Sequence, residues 1–70
     1  MKELDLHGVV HEEVERLVEN FILLNQNDVP LRIVTGKSSR MSQLVMSTAA
    51  RIKCDRVDSF FEGYVLVHKV

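Results

Sequence analysis

Leu4-Asp5-Leu6-His7-Gly8 is a short alternating run that stops at a glycine, and Ile33-Val34-Thr35-Gly36-Lys37 repeats that form further along the chain. In the first run Leu4 and Leu6 share one face while Glu3, Asp5 and His7 share the other, the pattern of a half-buried strand. The second closes a β-branched stretch over residues 31–35 that ends at Gly36. Each run leads into an apolar pattern of helical period. Over residues 10–25, Val10, Val14, Leu17, Val18, Phe21 and Leu24 fall on one side, and Glu12, Glu13, Glu15, Arg16, Glu19 and Asn20 on the other. This predicts an amphipathic helix whose acidic first turn complements its dipole. Residues 25–30 read as a polar connection closed by Pro30, and residues 36–42 as a glycine, serine and basic loop. Met41, Leu44, Val45, Thr48, Ala49 and Ile52 then predict a second helix that ends near Lys53 with cations in its last turn. Residues 56–61 and 64–70 read as two strands separated by Glu62-Gly63, a hairpin.

The predicted order is therefore βαβαββ, without repeats, low-complexity segments or linkers. The fold class is α/β, in the form of an α+β two-layer sandwich with two helices on one face of a four-stranded mixed sheet, and residues 1–70 make a single domain. A right-handed crossover through the first helix makes the first two strands parallel. Their ends then share one edge of the sheet, the place where α/β folds keep their sites. If Leu4 and Leu6 face the helices, Asp5 and His7 point to the uncovered face, their Cα atoms roughly 6.5 Å apart.

Composition narrows the class. Hydrophobic residues make up 46% of the chain and charged residues 27%, which excludes a disordered chain, and no long apolar run predicts a membrane span. No basic segment followed by an apolar stretch and a cleavage site opens the chain, and the single Cys54 cannot form an internal disulfide, so a cytoplasmic protein is expected. The net charge of −1 conceals a division: up to Pro30 two cations face seven acids, and beyond it seven cations face three acids. Because phosphate responds to the potential within about 8 Å at physiological salt, such a chain can present a basic patch while near neutral overall.

Two constellations carry chemistry. Asp5 and His7 form an Asp/His pair on one strand face, where either residue could serve as general base or orient the other; without further context, the alternative is the solvent-facing half of an ordinary strand. Two ligands fall short of a closed zinc shell, so no metal ligands are assigned. The loop Thr35-Gly36-Lys37-Ser38-Ser39-Arg40 precedes a helix, where free N–H groups and the helix dipole suit a phosphate; Lys37 and Arg40 add charge, and Ser38 or Ser39 can cap the helix. The loop contains Gly-Lys-Ser but is not a nucleotide-binding P-loop, because Leu31 stands where that motif needs its first glycine. Phe60, Phe61 and Tyr64 cluster near the hairpin and could stack on bases, but with only 6% of the chain aromatic, core or rim packing is the expected role for them. His11 and His68 have no neighbour at metal-ligand spacing, and Met41, Met46 and Cys54 read as packing residues.

Taken in this order, the two motifs resemble the Smr (small MutS-related) domain. That family opens with a Leu-Asp-Leu-His-Gly strand end, continues with an amphipathic helix, and carries a second strand ending in Thr-Gly-Lys-Gly or His-Gly-Lys-Gly. The similarity runs from Leu4 through Lys37 and the second helix to the closing Gly63-Tyr64-Val65-Leu66-Val67 strand. It implies the βαβαββ sandwich also found in the C-terminal domain of a bacterial initiation factor. It also implies nucleic-acid binding and, in several members, endonuclease activity that nicks DNA or cuts RNA, in some cases on ribosomes. By that resemblance Asp5 and His7 match the Asp-x-His implicated in cleavage, and Gly36 and Lys37 match the second motif. Gly8, Thr35, Ser38, Ser39 and Arg40 complete the expected nucleic-acid-binding set. The chain has Ser38 where the family usually has another glycine, and serine resists the positive φ that glycine permits.

Three functions are therefore expected to compete. The first is an endonuclease acting on RNA or DNA, either metal-independent or with a divalent metal ion held by Asp5. The second is a non-catalytic RNA- or DNA-binding module with a basic surface from Lys37, Arg40, Arg32 and Lys69. The third is a protein-interaction module that uses an edge strand or the acidic face of the first helix. A nucleic-acid partner, no membrane association and a monomer or weak dimer are expected.

Overall fold

The computed structural model describes residues 1–70, which form strands β1 (Glu3–Asp5), β2 (Leu31–Val34), β3 (Arg56–Phe60) and β4 (Tyr64–Lys69) and helices α1 (His11–Leu24) and α2 (Ser39–Arg51). A short 3₁₀ turn, Gln26–Asp28, interrupts the connection after α1. The sheet order is β1-β2-β4-β3, with β1 and β2 parallel and the other two pairs antiparallel. Both helices lie on one face, so the fold is the two-layer mixed-sheet arrangement expected from the element order.

Register assigns each strand residue to a face. Leu4, Leu31, Ile33, Val65 and Val67 point toward the helices, and the last four are fully buried. They close a core with Leu6, Val14, Val18, Ile22, Met41 and Val45. Thr48 and Ala49 of α2 are also buried, and the Thr48 hydroxyl donates to the Leu44 carbonyl at 2.8 Å. The uncovered face carries Arg32 and Val34 of β2, Asp58 and Phe60 of β3, and Tyr64, Leu66 and His68 of β4. There Phe60 stacks on Tyr64 with ring centroids 4.8 Å apart, and the Arg32 guanidinium lies 4.8 Å from the same Tyr64 ring. Asp58 Oδ2 lies 3.0 Å from His68 Nε2, close enough for charge attraction though outside hydrogen-bond geometry.

The buried stripe of α1 consists of Val14, Val18 and Ile22, spaced by four. Ile22, absent from the sequence-based face, is fully buried, whereas Leu24, assigned to it, is 83% exposed. At 100° per residue, Leu24 stands about 200° from Ile22, and only the last turn reveals which of the two leucine-like positions the sheet receives. Arg51 near the end of α2 reaches Glu19 at 2.9 Å and Glu15 at 3.4 Å, tying the exposed side of α1 to α2. No helix is long and apolar enough to cross a membrane.

Candidate functional site

β1 and β2 run in parallel, so their C-terminal ends open on the same edge, as the alternating runs predict. Asp5 stands opposite Val34, and the Leu6 N–H donates to the Val34 carbonyl at 2.9 Å. The chain then turns at Gly8, φ +79°, and the turn closes with the Val9 N–H donating to the Leu6 carbonyl at 3.0 Å. A turn with positive φ at its third residue is of type II form, which glycine occupies without strain.

Asp5 has a definite partner, and it is not the imidazole. Asp5 Oδ1 accepts from the backbone N–H of His7 at 2.9 Å, an Asx-turn bond that bends the strand end into the Gly8 turn. One carboxylate oxygen is thus engaged by the backbone, and the His7 side chain projects from an exposed position. The pair is adjacent, as the strand spacing requires, but the carboxylate orients the chain rather than the ring.

The second motif is built differently. Thr35 is 5% exposed; its hydroxyl donates to the Gly36 carbonyl at 2.9 Å, and its N–H donates to the Gly63 carbonyl at 2.8 Å. Thr35 therefore constructs the loop and leaves no free hydroxyl proton for a ligand. The Gly36 N–H donates to the same Gly63 carbonyl at 3.0 Å, so one oxygen of the β3–β4 hairpin holds two amides of the loop. The approach is close: a Cβ on Gly63 would lie 3.0 Å from the Gly36 carbonyl carbon and oxygen, and Gly63 itself has φ +118°. Only glycine fits there.

The loop takes its positive φ at Gly36, +66°, and not at Ser38, which has φ −83° and ψ 113°. Ser38 is the N-cap of α2: its Oγ accepts from the Met41 N–H at 3.1 Å. Ser38 therefore carries no backbone strain and satisfies one of the orphan donors of the helix. With that cap in place α2 begins at Ser39, so Ser39 and Arg40 belong to its first turn, not to the loop expected over residues 36–42.

Charge is uncompensated at this helix start. The first turn of α2 has no acidic residue, Arg40 lies within it and Lys37 just before it, and neither cation has a carboxylate within ion-pair distance. The other two cations of the expected basic surface, Arg32 and Lys69, have partners of their own. Arg32 is on the uncovered sheet face over Tyr64, and Lys69, at the far end of β4, pairs with Asp55 at 3.6 Å.

Beside Lys37 lies an open cleft of about 480 Å³ between the start of α2 and the β3–β4 hairpin. Its lining combines Thr35, Gly36, Lys37, Ser38 and Ser39 with Ser42, Gln43, Ser59, Phe60 and Phe61. Ser42 Oγ and Ser59 Oγ are 3.0 Å apart and hydrogen-bonded, fixing α2 to β3 across the cleft floor. Asp5, His7, Gly8 and Arg40 do not line it. Sequence reasoning did not single out Gln43 and Ser59, which reach the cleft only because α2 packs beside β3, and it placed Phe61 in a strand because the hairpin loop is one residue longer than expected. The loop comprises Phe61, Glu62 and Gly63, and the Gly63 N–H donates to the Phe60 carbonyl at 3.0 Å. Phe61 consequently leaves the strand and stands 90% exposed, not in the core or rim. Glycine as the third residue of a short hairpin loop is the sequence signal for this geometry.

Nowhere in the chain do three His, Cys, Asp or Glu side chains converge as a set of metal ligands. With one Asp5 oxygen accepting from the His7 N–H, the other is the carboxylate donor left at this strand end, too few for a closed shell of protein ligands. Cys54 is half-buried, and burial pushes its thiol pKa up, away from a reactive thiolate. Compared with family models, with curated proteins and with solved structures, the chain matches none.

Proposed function

We propose that this chain is a nucleic-acid-binding domain of the Smr type, in which a backbone phosphate docks at the start of α2. The observation that carries the reading is the uncompensated positive end of α2: a helix N-terminus with Lys37 and Arg40 beside it and no acid of its own. Backbone amides and a macrodipole at that position favour an anion, and the two cations supply a term that would make affinity fall with salt. The order of the motifs, with Leu-Asp-Leu-His-Gly before Val-Thr-Gly-Lys, supports the same reading.

Within it, His7 is the residue proposed for strand scission. At the same sheet edge as the phosphate loop, its imidazole would take a proton from the hydroxyl that attacks phosphorus; the P–O bond to the departing nucleoside breaks, its oxygen is protonated from solvent, and Asp5 would position His7 through the backbone turn. No step requires a metal ion. The test is a panel of labelled single-stranded and duplex RNA and DNA, with and without chelator, against wild type, His7→Ala and Asp5→Asn. Asparagine keeps an acceptor for the His7 N–H, so loss of charge is separated from loss of the turn. Cleavage should fall about 100-fold or more in His7→Ala. Equal cleavage by all three proteins would identify a contaminant and remove the catalytic role.

A second reading, a binding module without catalysis, is favoured by one observation: the Asp5 carboxylate bonds to the backbone and not to the imidazole. It predicts salt-sensitive binding that falls in Lys37→Ala, with no scission under any condition.

A further inference from the structure

The strands arrange three loops in a row along the functional edge. Sheet order places the turn after β1, with His7, at one side; the Gly36–Lys37 loop after β2 comes next, and the β3–β4 hairpin follows. The Gly63 carbonyl joins the second loop to the third through the Thr35 and Gly36 amides. The cleft opens on the hairpin side of Lys37, so it extends the phosphate site away from His7.

Its lining has the chemistry of a nucleoside pocket. Phe61 offers an open aromatic face at the rim, 90% exposed on a hairpin loop whose base is fixed. Gln43 supplies an amide able both to donate and to accept, and the Ser42–Ser59 hydroxyl pair keeps one free proton and spare lone pairs, which suits the mixed edge of a base or a ribose. Lys37 borders the same cleft, and its ammonium has no carboxylate partner. A cation, a line of small polar groups and an exposed ring within about 480 Å³ match the phosphate, sugar and base of one nucleotide. A base within a duplex has both faces covered by its neighbours and cannot stack on a protein ring.

Resting on the nucleic-acid reading above, we infer that the cleft between α2 and the β3–β4 hairpin seats an unpaired nucleotide, its base stacked on Phe61 and its phosphate at Lys37. The substrate class is therefore single-stranded nucleic acid, or the unpaired segment of a folded one. The strand runs along the sheet edge, and the bond presented to His7 is displaced toward β1 from the stacked base.

Phe61→Trp tests this directly, because the chain has no tryptophan and the new indole becomes a unique reporter. Its fluorescence should be quenched, saturably, by single-stranded oligonucleotides and not by a fully paired duplex of the same sequence. In the same titrations Phe61→Ala should weaken single-strand binding about tenfold and leave duplex binding and the salt dependence unchanged, whereas Lys37→Ala should weaken both. If Lys37→Ala loses affinity while Phe61→Ala binds single strands like wild type, the stacking inference is overturned and the nucleic-acid reading stands. Tighter binding of duplex than of single strand, with indole quenching by both, also overturns it. If no oligonucleotide binds at any salt concentration, both readings fall together. Because Phe61 is exposed on a loop, both variants should fold, which circular dichroism and thermal melting check.

Discussion

The two helices begin alike and end their first turns in opposite electrostatic states. Each follows a strand and a glycine with positive φ, Gly8 at +79° and Gly36 at +66°. At α1 the N-cap is Val10, which offers no side-chain cap, while Glu12 and Glu13 in the first turn complement the positive helix end. At α2 the cap is present in Ser38, but no acid follows it, and Lys37 and Arg40 add positive charge where the dipole already disfavours it. The difference separates an end that is electrostatically complete from one that leaves its counter-charge to be supplied from outside. A motif scan that stops at the glycine of each turn treats the two as equivalent.

The glycines that support the two turns differ most in what an added side chain would meet. Gly63→Ala drives a methyl group into the Gly36 backbone and should cost about 3 kcal/mol or more in denaturant unfolding, or prevent folding. Gly8→Ala meets nothing within 4 Å, and only its positive φ is penalised, by about 1–2 kcal/mol. Equal losses would mean that the α2 loop does not depend on its close packing against the hairpin. Next in size is Lys37→Ala, expected to lower oligonucleotide affinity about tenfold and to reduce the salt slope by about one. Arg16→Ala, on α1, should change neither.

Smaller effects test the caps and the dipole. Ser38→Ala should cost about 1 kcal/mol, and Val10→Ser, at the uncapped and 60% exposed start of α1, should gain up to a similar amount. A neutral result at position 10 would show that the Glu12 and Glu13 carboxylates already satisfy those donors. Arg40→Glu should raise stability by about 0.5 kcal/mol while weakening nucleic-acid binding, because the acid complements the dipole and repels phosphate. Weakened binding without a stability gain would place the effect of Arg40 in direct contact alone.

Much of this architecture is legible in the chain itself. The period-two run around Leu4 and Leu6, the two helical stripes and the glycines that end the strands suffice for element order, parallel pairing and the shared edge. What is not legible is set by tertiary contacts. Ile22 and Leu24 are chemically similar, and only the position of the sheet decides that Ile22 is buried. Ser38, standing where the motif it resembles has glycine, reads as a poor fit until the backbone shows that the loop takes its positive φ two residues earlier, at Gly36. Asp5 beside His7 suggests a side-chain pair, but the nearer partner is the backbone N–H of His7 itself. Phe61 reads as a packing residue because a two-residue loop would keep it on β3 opposite Tyr64, whereas the three-residue loop pairs Phe60 there and releases Phe61.

The Gly63 carbonyl that accepts from both Thr35 and Gly36 has a dynamic consequence. Loops at binding sites are ordinarily drawn from the least stable parts of a protein and open on their own. Here the loop after β2 must break both bonds to the Gly63 carbonyl to leave, and that carbonyl is held beside β4, which contributes Val65 and Val67 to the core. The two segments therefore open together, and the amides of Thr35 and Gly36 should exchange with solvent nearly as slowly as those of the central strand. Little conformational entropy remains for a ligand to remove at this edge, so association there should resemble the docking of a rigid surface rather than the ordering of a loop.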